Sequence, residues 1–319
     1  MNIDPVRRRE PALPEDGPRA APRDRERELE ALHARSAPQA NLRAFVANAT
    51  RTSLPPGWTC DAPGEDPRYS FDSCQPLQPG PRGAVYIRGP KDVHEVDPND
   101  IQQGQLGDCY ALASLGAVAR TEEGRTILRR AIVETTRNGE TIYRVTLRRP
   151  LTASEHAKPH DPKRPWKEFV VEVPDAFLPS RARGVVTGGK EEKWVPIMER
   201  ALSLVRGGTD QLGHGGYPES VLRYLTGESA LPSRAPHLWR AVASGGAVVI
   251  HTARNEAELA PYGLVPCHAY FVDKVFAAPD GRRFVQLANP WGHHHPRPIP
   301  IDVVDRLDLT LTASPPPKP

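Results

Sequence analysis

Cysteine is scarce in this chain. The 319 residues include four cysteines, Cys60, Cys74, Cys109 and Cys267. Thiols so few and so scattered exclude the dense disulfide framework of a small secreted domain. Only Cys60 and Cys74 are close in sequence, and the sequence leaves open whether they pair in an oxidising compartment or are two buried free thiols.

Long apolar runs are also missing. No run approaches the roughly 18 apolar residues that a transmembrane helix needs. The N-terminus, "MNIDPVRRREPALPEDG", has no apolar segment behind its basic residues. These two absences predict no membrane partner and no Sec-type signal peptide. We therefore expect a cytoplasmic location, or export by a route that needs no N-terminal signal.

A strong charge of either sign is lacking as well. The chain has 42 basic and 39 acidic residues, which leaves a net charge of +3. Such a balance gives no strong field to attract nucleic acid or an anionic membrane, so we expect neither as a partner. Nothing in the sequence indicates an obligate partner protein.

The composition divides the chain into four parts. Residues 1–40 mix proline, alanine and charges of both signs with few large apolar residues, which predicts a disordered leader. Residues 41–98 are frequently interrupted by proline and glycine and predict an irregular lead-in. Residues 99–312 form the predicted main domain, and 313–319 a proline-rich tail.

Hydrophobic periodicity predicts an α+β fold. The apolar run from Cys109 to Ala119 is too continuous for a surface helix and predicts a buried central one. Two further helices are predicted at 124–134 and 194–205, and strands at 141–147, 168–173, 247–253, 268–276 and 284–290. This order indicates a helical lobe followed by an antiparallel β lobe, and clefts between such lobes commonly hold functional sites.

Cys109 is the first candidate functional residue. It follows Gly107-Asp108 in "QGQLGDCYALASL" and starts the predicted central helix. A free thiol has a pKa of about 8.5, and the unpaired N–H groups of a helix N-terminus or a nearby imidazolium lower it. The position therefore predicts an activated thiol, although a lone cysteine at a helix start is more often structural.

His268 and Asn289 are candidate partners for this cysteine. His268 begins the strand "HAYFVDKVF", and Asn289 ends the next strand, "FVQLAN". If the two strands are antiparallel neighbours, the start of one faces the end of the other. The Asn289 amide oxygen would then accept the imidazole N–H and orient the ring.

Four ordered segments resemble the calpain family of papain-like cysteine proteases. Three look like the family's active-site segments, namely "QGQLGDCYALASL", "GLVPCHAYFV" and "QLANPWG". The stretches "EEKWVPIMERALSLVRGG" and "GHGGYPESVLRYLTG" resemble its middle segment. The resemblance runs from about Asp100 to Gly292 and implies a papain-like two-lobed fold and cysteine endopeptidase activity on protein or peptide substrates.

The resemblance implies a role for each matching residue. Cys109 would be the nucleophile, His268 the general base and acid, and Asn289 the group that orients the imidazole. Gln103, six residues before the cysteine, would supply an oxyanion donor, which agrees with the chemistry of a side-chain amide. Trp291 would shield the bond between Asn289 and His268 from water.

Gly215 and Gly216 match a glycine pair whose backbone approaches the substrate. A flexible turn is the alternative interpretation. We therefore treat both glycines as candidate substrate-binding residues.

Cys267 departs from the family pattern, because glycine usually precedes the histidine. A side chain there could crowd the substrate path, or it could form a disulfide with Cys109 as a redox lock. A simple replacement by another small residue is the plainer interpretation. Tyr110 replaces the usual tryptophan after the nucleophile and keeps an aromatic ring.

A metal requirement is not expected. Asp100 and Glu192 fall where the family has calcium-binding carboxylates, so calcium at that one site stays a candidate. After "NPWG" the family's acidic stretch is replaced by "HHHPRP", and histidines do not replace oxygen ligands of calcium. The histidine spacing matches no familiar zinc pattern either. We expect calcium-independent activity without any required cofactor.

Two other functions stay open. A papain-like deamidase or transglutaminase would use the same cysteine and histidine through a similar thioester. An inactive protease-like domain that binds a partner is the second alternative, and Cys267 beside the histidine is the feature that favours it.

Overall fold

The computed structural model describes residues 77–316, except residues 90–91, 157, 160, 162–163, 229, 234, 253–255 and 308. The predicted leader at 1–40, most of the lead-in at 41–98, and Cys60 and Cys74 lie outside the described residues. Residues 317–319 of the predicted tail lie outside them too. The fold below concerns the described part alone.

Helices and antiparallel strands alternate along this part of the chain, which confirms the predicted α+β class. The helices are α1 (Cys109–Ala119), α2 (Glu122–Ala131), α3 (Ala153–His156), α4 (Trp194–Arg206), α5 (Thr209–Gly213), α6 (Pro218–Thr226), α7 (Ala235–Ala243), α8 (Glu256–Leu259) and α9 (Ile301–Arg306). None of these described helices is both long and apolar enough to cross a membrane.

Six strands form the largest sheet, and every strand pair in it is antiparallel. Its order is β12 (Ile299–Pro300), β11 (Arg283–Ala288), β10 (Ala269–Ala277), β9 (Ala247–His251), β13 (Thr310–Ser314) and β8 (Leu231–Ser233). The last of these in sequence, β13, runs to Ser314 and so passes the predicted domain boundary at residue 312.

Smaller sheets lie before this one in the sequence. The main one orders β2 (Ile132–Arg137), β3 (Glu140–Pro150) and β4 (Trp166–Pro174). Two short pairs join β1 (Gln78–Pro79) to β5 (Ala176–Phe177), and β6 (Val186–Thr187) to β7 (Lys190–Glu191).

The second helix is shorter than predicted. Thr121 caps α2 by accepting the Gly124 N–H at 3.0 Å, and acidic residues fill its first turn, as a helix dipole favours. The prediction of a helix to residue 134 is wrong, because the chain turns to extended backbone at Ile132 and begins β2 there. The β-branched side chains of Ile132 and Val133 pack better on a pleated strand than in a helix.

The central helix α1 is buried as predicted. Every residue of α1 from Tyr110 to Ala119 is buried, and the helix contacts α2, α6, β9 and β10. A Cβ atom added to Gly116 would lie 2.5 Å from Cδ1 of Phe271 on β10. Helix and sheet therefore approach each other where no side chain separates them, which brings the start of α1 close to the start of β10.

Two hydrophobic clusters share the large sheet. Ala269 and Phe271 of β10 belong to the cluster around α1, whereas the intervening Tyr270 and the next Val272 belong to a second cluster with α7 and α9. Successive strand residues point to opposite faces, so one strand serves both clusters. The sheet therefore holds the start of β10 firmly from both sides.

Candidate active site

Cys109 is the first residue of α1, at the edge of the buried helix. Asp108 before it is the N-cap residue, and its side chain makes no capping hydrogen bond. Cys109 itself is half-buried, and the backbone N–H of Ala269 at the start of β10 lies close enough to its sulfur to favour the thiolate. This contact brings the thiol beside the residue that follows His268.

Burial opposes ionisation of the thiol. It raises the pKa of Cys109 to about 12, and a negative charge on Asp108 would act in the same direction. The N–H groups of Ala269, Tyr110 and Cys109 lower the pKa by less. The predicted effect of the helix start is therefore present, and burial acts against it more strongly.

The backbone of His268 is fixed by Thr252. The His268 N–H donates to the Thr252 hydroxyl at 2.9 Å, and the Thr252 N–H donates to the His268 carbonyl at 2.9 Å. The same hydroxyl donates to the Val265 carbonyl at 2.6 Å. These bonds tie the residues before β10 to the end of β9.

His268 and Asn289 meet as the strand geometry predicted. Strands β10 and β11 are antiparallel neighbours, and His268 Nε2 lies 2.9 Å from Asn289 Oδ1. The same oxygen accepts the Trp291 N–H at 3.0 Å, while Asn289 Nδ2 donates to the His294 carbonyl at 3.3 Å. Because Oδ1 is thus an acceptor, Nε2 carries the imidazole proton and Nδ1 is left with a lone pair.

Aromatic rings enclose the imidazole. The ring centroid of His268 lies 4.7 Å from that of Trp291 and 4.9 Å from that of Tyr270. Burial lowers the pKa of His268, and the bond to Asn289 opposes this shift. Burial also lowers the pKa of the nearby His251 to about 4. Burial therefore favours the neutral form of both imidazoles.

Gln103 lies beside the start of α1. Its N–H donates to the Pro290 carbonyl at 2.8 Å, which connects the cysteine segment to the asparagine segment. Its side-chain Nε2 donates to the Leu106 carbonyl at 2.7 Å and to Asp108 Oδ1 at 3.3 Å. Both protons of the Gln103 side-chain amide thus have acceptors within the protein. To donate to an oxyanion, the amide must break its longer hydrogen bond, the one to Asp108.

The two predicted glycines differ in their surroundings. Gly216 lies against the ring of Tyr110, where an added Cβ would be 2.7 Å from Cζ. Gly215 has a φ of +85° and no atom within 4 Å of the space for a Cβ. Gly216 therefore lies beside the residue that follows Cys109, and Gly215 supplies left-handed backbone that favours glycine.

Asp100 and Glu192 form a buried carboxyl pair. Asp100 Oδ2 accepts the Trp194 indole N–H at 2.9 Å, and Glu192 Oε1 accepts the Ile87 N–H at 2.8 Å. Asp100 Oδ1 and Glu192 Oε2 are buried without an N–H or O–H donor. Burial and the mutual proximity of the two groups raise the pKa of Glu192 well above its usual range, and burial raises that of Asp100.

The pair has the oxygen chemistry that a hard cation prefers, but calcium takes six to eight oxygens. Within the described ranges, no three or more His, Cys, Asp or Glu side chains are grouped to hold a metal ion. Two carboxylates would therefore need backbone carbonyls or water to complete the coordination of calcium.

Cys267 has left-handed backbone. Its φ is +50°, a region that favours glycine over residues with a Cβ. Its thiol is free and half-buried. The departure from glycine in the sequence thus coincides with a local conformation for which glycine is better suited.

Several supporting residues escaped the sequence analysis. His295 accepts the Asn289 N–H on its Nδ1 at 3.1 Å, so one member of the "HHHP" stretch holds the asparagine. Thr252 binds the His268 backbone, the Tyr270 ring packs edge-on against the imidazole, and Glu199 lies beside Asp108. Thr252 and Glu199 act through contacts between distant parts of the chain, which no motif reveals, whereas Tyr270 and His295 lie within a few residues of the groups that they contact.

The site thus has two sides with different surroundings. The cysteine side consists of Gln103, Asp108, Cys109 and Glu199. The histidine side consists of Thr252, His268, Tyr270, Asn289 and Trp291. Polar groups buried around a helix start make up the first, and a sheet edge covered by aromatic rings makes up the second.

Comparison with known proteins gives a family match over this region. A family model described as calpain family cysteine protease matches residues 89–297. A calpain-type cysteine protease, DEK1 of Zea mays, is 28% identical over 218 residues, which cover 62% of this chain and 9% of that protein. Calpain-7 of Homo sapiens is 27% identical over 223 residues, or 64% of this chain and 26% of that protein. Calpain-13 of Rattus norvegicus is 26% identical over 213 residues, or 61% and 29%. The chain therefore spans less than a third of each of these relatives.

Proposed function

This chain belongs to the calpain family of cysteine proteases, and from that premise we propose that it is an endopeptidase that cleaves protein substrates through a thioester intermediate. Membership of the family also confirms the papain-like form of the α+β fold. The proposal depends on the hydrogen bond between His268 Nε2 and Asn289 Oδ1, because this bond leaves Nδ1 of His268 free to act as a base. His268 directly precedes Ala269, whose N–H lies near the Cys109 sulfur.

Transfer of the thiol proton starts the proposed reaction. The imidazole Nδ1 of His268 takes this proton as the Cys109 sulfur attacks the substrate carbonyl, and burial favours the neutral form of both groups before that step. Asn289 holds the ring in this tautomer and stabilises the imidazolium that forms. Trp291 covers the bond and keeps water from competing for it.

The developing oxyanion takes two donors. The Cys109 N–H at the helix start is one, and the Gln103 amide is the other once its longer bond to Asp108 is exchanged. His268 then protonates the leaving amine, which leaves an acyl group on the Cys109 sulfur. The same imidazole next activates water, which cleaves the thioester and restores the thiol.

Calcium has no step in this reaction. Where it binds, Asp100 and Glu192 would hold it through their unpartnered oxygens, and Glu192, whose pKa is raised, would first have to lose its proton. The positive charge of the ion would hold the segment that carries Asp100 and the segment that carries Glu192 together. We propose that turnover needs no metal, and unchanged rates in excess chelator are the expected result.

The test uses the full chain with an unfolded protein substrate, such as reduced and alkylated lactalbumin. Cleavage is followed by mass spectrometry of new peptide ends, with and without reductant, calcium and chelator. Cys109→Ser and Cys109→Ala should both abolish cleavage, while Cys267→Ala is the matched thiol control that keeps Cys109. Undiminished cleavage by either Cys109 variant would show that this thiol is not the nucleophile.

The same experiment addresses the acyl-transfer alternatives. A deamidase would convert glutamine side chains to acids and leave the backbone intact, and a transglutaminase would join chains together. Both would depend on Cys109, so the product rather than the variant distinguishes them from an endopeptidase.

An inactive binding domain is the second candidate, and it is favoured by the raised thiol pKa and by Cys267 beside the histidine. Labelling by a thiol-directed epoxide separates the two. An endopeptidase predicts labelling of Cys109 at neutral pH that far exceeds labelling of free cysteine and that is lost in His268→Ala. An inactive domain predicts labelling no faster than that of free cysteine.

A further inference from the structure

A second carboxyl pair lies directly under the cysteine side of the site. Asp108 is fully buried at the start of α1, and Glu199 on α4 is 4% exposed. The two carboxyl groups lie close enough for a proton on one to be donated to the other. Neither group has a step in the reaction above, although Asp108 is the residue next to the nucleophile.

The hydrogen bonds of the pair show how many protons it holds. Asp108 Oδ1 accepts from Gln103 Nε2 at 3.3 Å, whereas Asp108 Oδ2 is buried without an N–H or O–H donor. Glu199 accepts the Ala182 N–H on both oxygens, at 2.9 and 3.1 Å. Two ionised carboxylates do not remain in contact inside a protein, so one proton lies between them.

The surroundings place that proton on Asp108. Burial raises the pKa of Glu199 to about 7, whereas the Ala182 N–H and the positive charges of Arg181 and Arg200 favour its negative form. No cation is among the main influences on the pKa of Asp108, and a negative charge there would act on Cys109 and Tyr110. Burial and the bond to Glu199 accordingly raise the pKa of Asp108 well above its usual range.

We propose that Glu199 is a positioning residue that keeps a proton on Asp108 and so keeps negative charge away from the Cys109 thiol and the oxyanion donors. An ionised Asp108 would oppose formation of both the thiolate and the oxyanion, because each places a second negative charge beside it. It would also hold the Gln103 amide more tightly through a charge-assisted bond. The part of this inference that concerns turnover rests on the proposed endopeptidase activity.

Two variants carry the same net charge but place the negative charge of the carboxyl pair on different residues. Glu199→Gln and Asp108→Asn each remove one carboxyl group and preserve the side-chain shape. The first leaves the remaining negative charge on Asp108, beside the thiol. The second leaves it on Glu199, beside Ala182, Arg181 and Arg200. A purely structural role predicts equal effects of the two changes, whereas the proposal predicts unequal ones.

The measurement is the rate of Cys109 alkylation by iodoacetamide as a function of pH, resolved from the other thiols by peptide mass spectrometry. For Glu199→Gln we expect the alkylation rate at a fixed pH near neutrality to fall about tenfold, which corresponds to one unit in the pKa of the thiol. For Asp108→Asn we expect the rate of the unsubstituted chain at the same pH. Equal rate changes in the two variants, or an unchanged rate in Glu199→Gln, would overturn the proposal.

Turnover gives a second readout. With a peptide substrate, Glu199→Gln should lower kcat with little change in KM, because the charge acts on the transition state. If the chain cleaves nothing, the proposed activity fails, yet alkylation still tests the charge arrangement because it needs only the thiol.

A variant that does not fold still leaves the question answerable. In Glu192→Gln, which lacks the proton that Glu192 holds in the unsubstituted chain, infrared spectroscopy at neutral pH should still show a protonated buried carboxyl group. Thermal unfolding monitors whether each variant is folded. Absence of any protonated carboxyl band in the folded chain would contradict the proposal.

Discussion

The two sides of the site reach the same neutral state by opposite shifts. On the cysteine side, burial raises the pKa of acids, so the Cys109 thiol and Asp108 keep their protons. On the histidine side, burial lowers the pKa of His268 and so disfavours the imidazolium. Burial therefore disfavours charge on both sides of the site, and an ion pair between Cys109 and His268 has to form against both shifts.

The two sides also differ in what holds them. The cysteine side depends on hydrogen bonds to Gln103, Leu106 and Ala182 around a helix start. The histidine side depends on ring packing and on backbone bonds to Thr252. Substitutions on the cysteine side should therefore act mainly through charge, and those on the histidine side mainly through geometry.

Removal of the oxyanion amide should have the largest effect among the changes that leave the nucleophile and base intact. Gln103→Ala should lower kcat/KM by roughly a hundredfold or more, because one of two oxyanion donors is lost. The measurement is peptide hydrolysis at substrate concentrations below KM. Gln105→Ala in the same segment is the matched control, since Gln105 is exposed. A fall of less than about threefold for Gln103→Ala would show that the amide does not serve the oxyanion.

The free energy of unfolding should depend on pH in opposite directions for buried carboxyl groups and for buried imidazoles. Glu192 has a pKa raised to about 9, so it binds a proton in the folded chain at a pH where the unfolded chain has lost it. The free energy of unfolding should therefore fall as pH rises towards 9, by up to about 1.4 kcal/mol per pH unit for each such proton. The lowered pKa of His251 has the opposite effect on stability. The stability that its neutral imidazole contributes to the folded chain is lost as pH falls below about 6.5.

Urea unfolding at pH 7.5 and 8.5 tests the acid contribution, because His251 is neutral at both. Glu192→Gln should reduce the difference in unfolding free energy between the two conditions by about 1 kcal/mol. The exposed Glu140→Gln is the control that should leave the difference unchanged. An undiminished difference in Glu192→Gln would mean that this carboxyl carries no extra proton when folded.

The smallest expected effect concerns the residue before the histidine. Cys267→Gly should stabilise the chain by up to about 1 kcal/mol, because φ is +50° and glycine tolerates left-handed backbone. Urea unfolding measures the gain, with Cys267→Ala as the control that removes the thiol but keeps the Cβ. Equal stability of the two variants would show that the backbone is unstrained.

The same variant tests the redox lock. A disulfide between Cys267 and Cys109 would make proteolysis depend on reductant, and Cys267→Gly would remove that dependence. If activity is the same with and without reductant in the unsubstituted chain, the lock does not form.

The sequence was sufficient for the α+β class and for one contact of the site. Strand alternation placed His268 at the start of one strand and Asn289 at the end of its neighbour, and antiparallel pairing does bring them together. The continuous apolar run after Cys109 correctly predicted a buried helix. Local pattern and pairing geometry are enough for statements of this kind.

The electrostatics could not be predicted from the sequence. The prediction of an acidified Cys109 used only the helix start, whereas the pKa depends on how deeply the sulfur is buried, which tertiary packing decides. Glu199 lies ninety positions after Cys109, and no spacing rule joins such distant residues. The strand that begins at Ile132 was missed because its apolar pattern continues that of the preceding helix.

The direct contact of Gly116 with Phe271 has a consequence for how the distance across the site is set. Gly116 lies seven residues after Cys109, or about 10 Å along the helix. Because no side chain separates helix from strand there, this contact limits how closely α1 can approach β10, and with it how closely Cys109 can approach His268. A larger side chain at position 116 would push α1 away from the sheet and so lengthen the distance between the nucleophile and its base, although neither residue is changed.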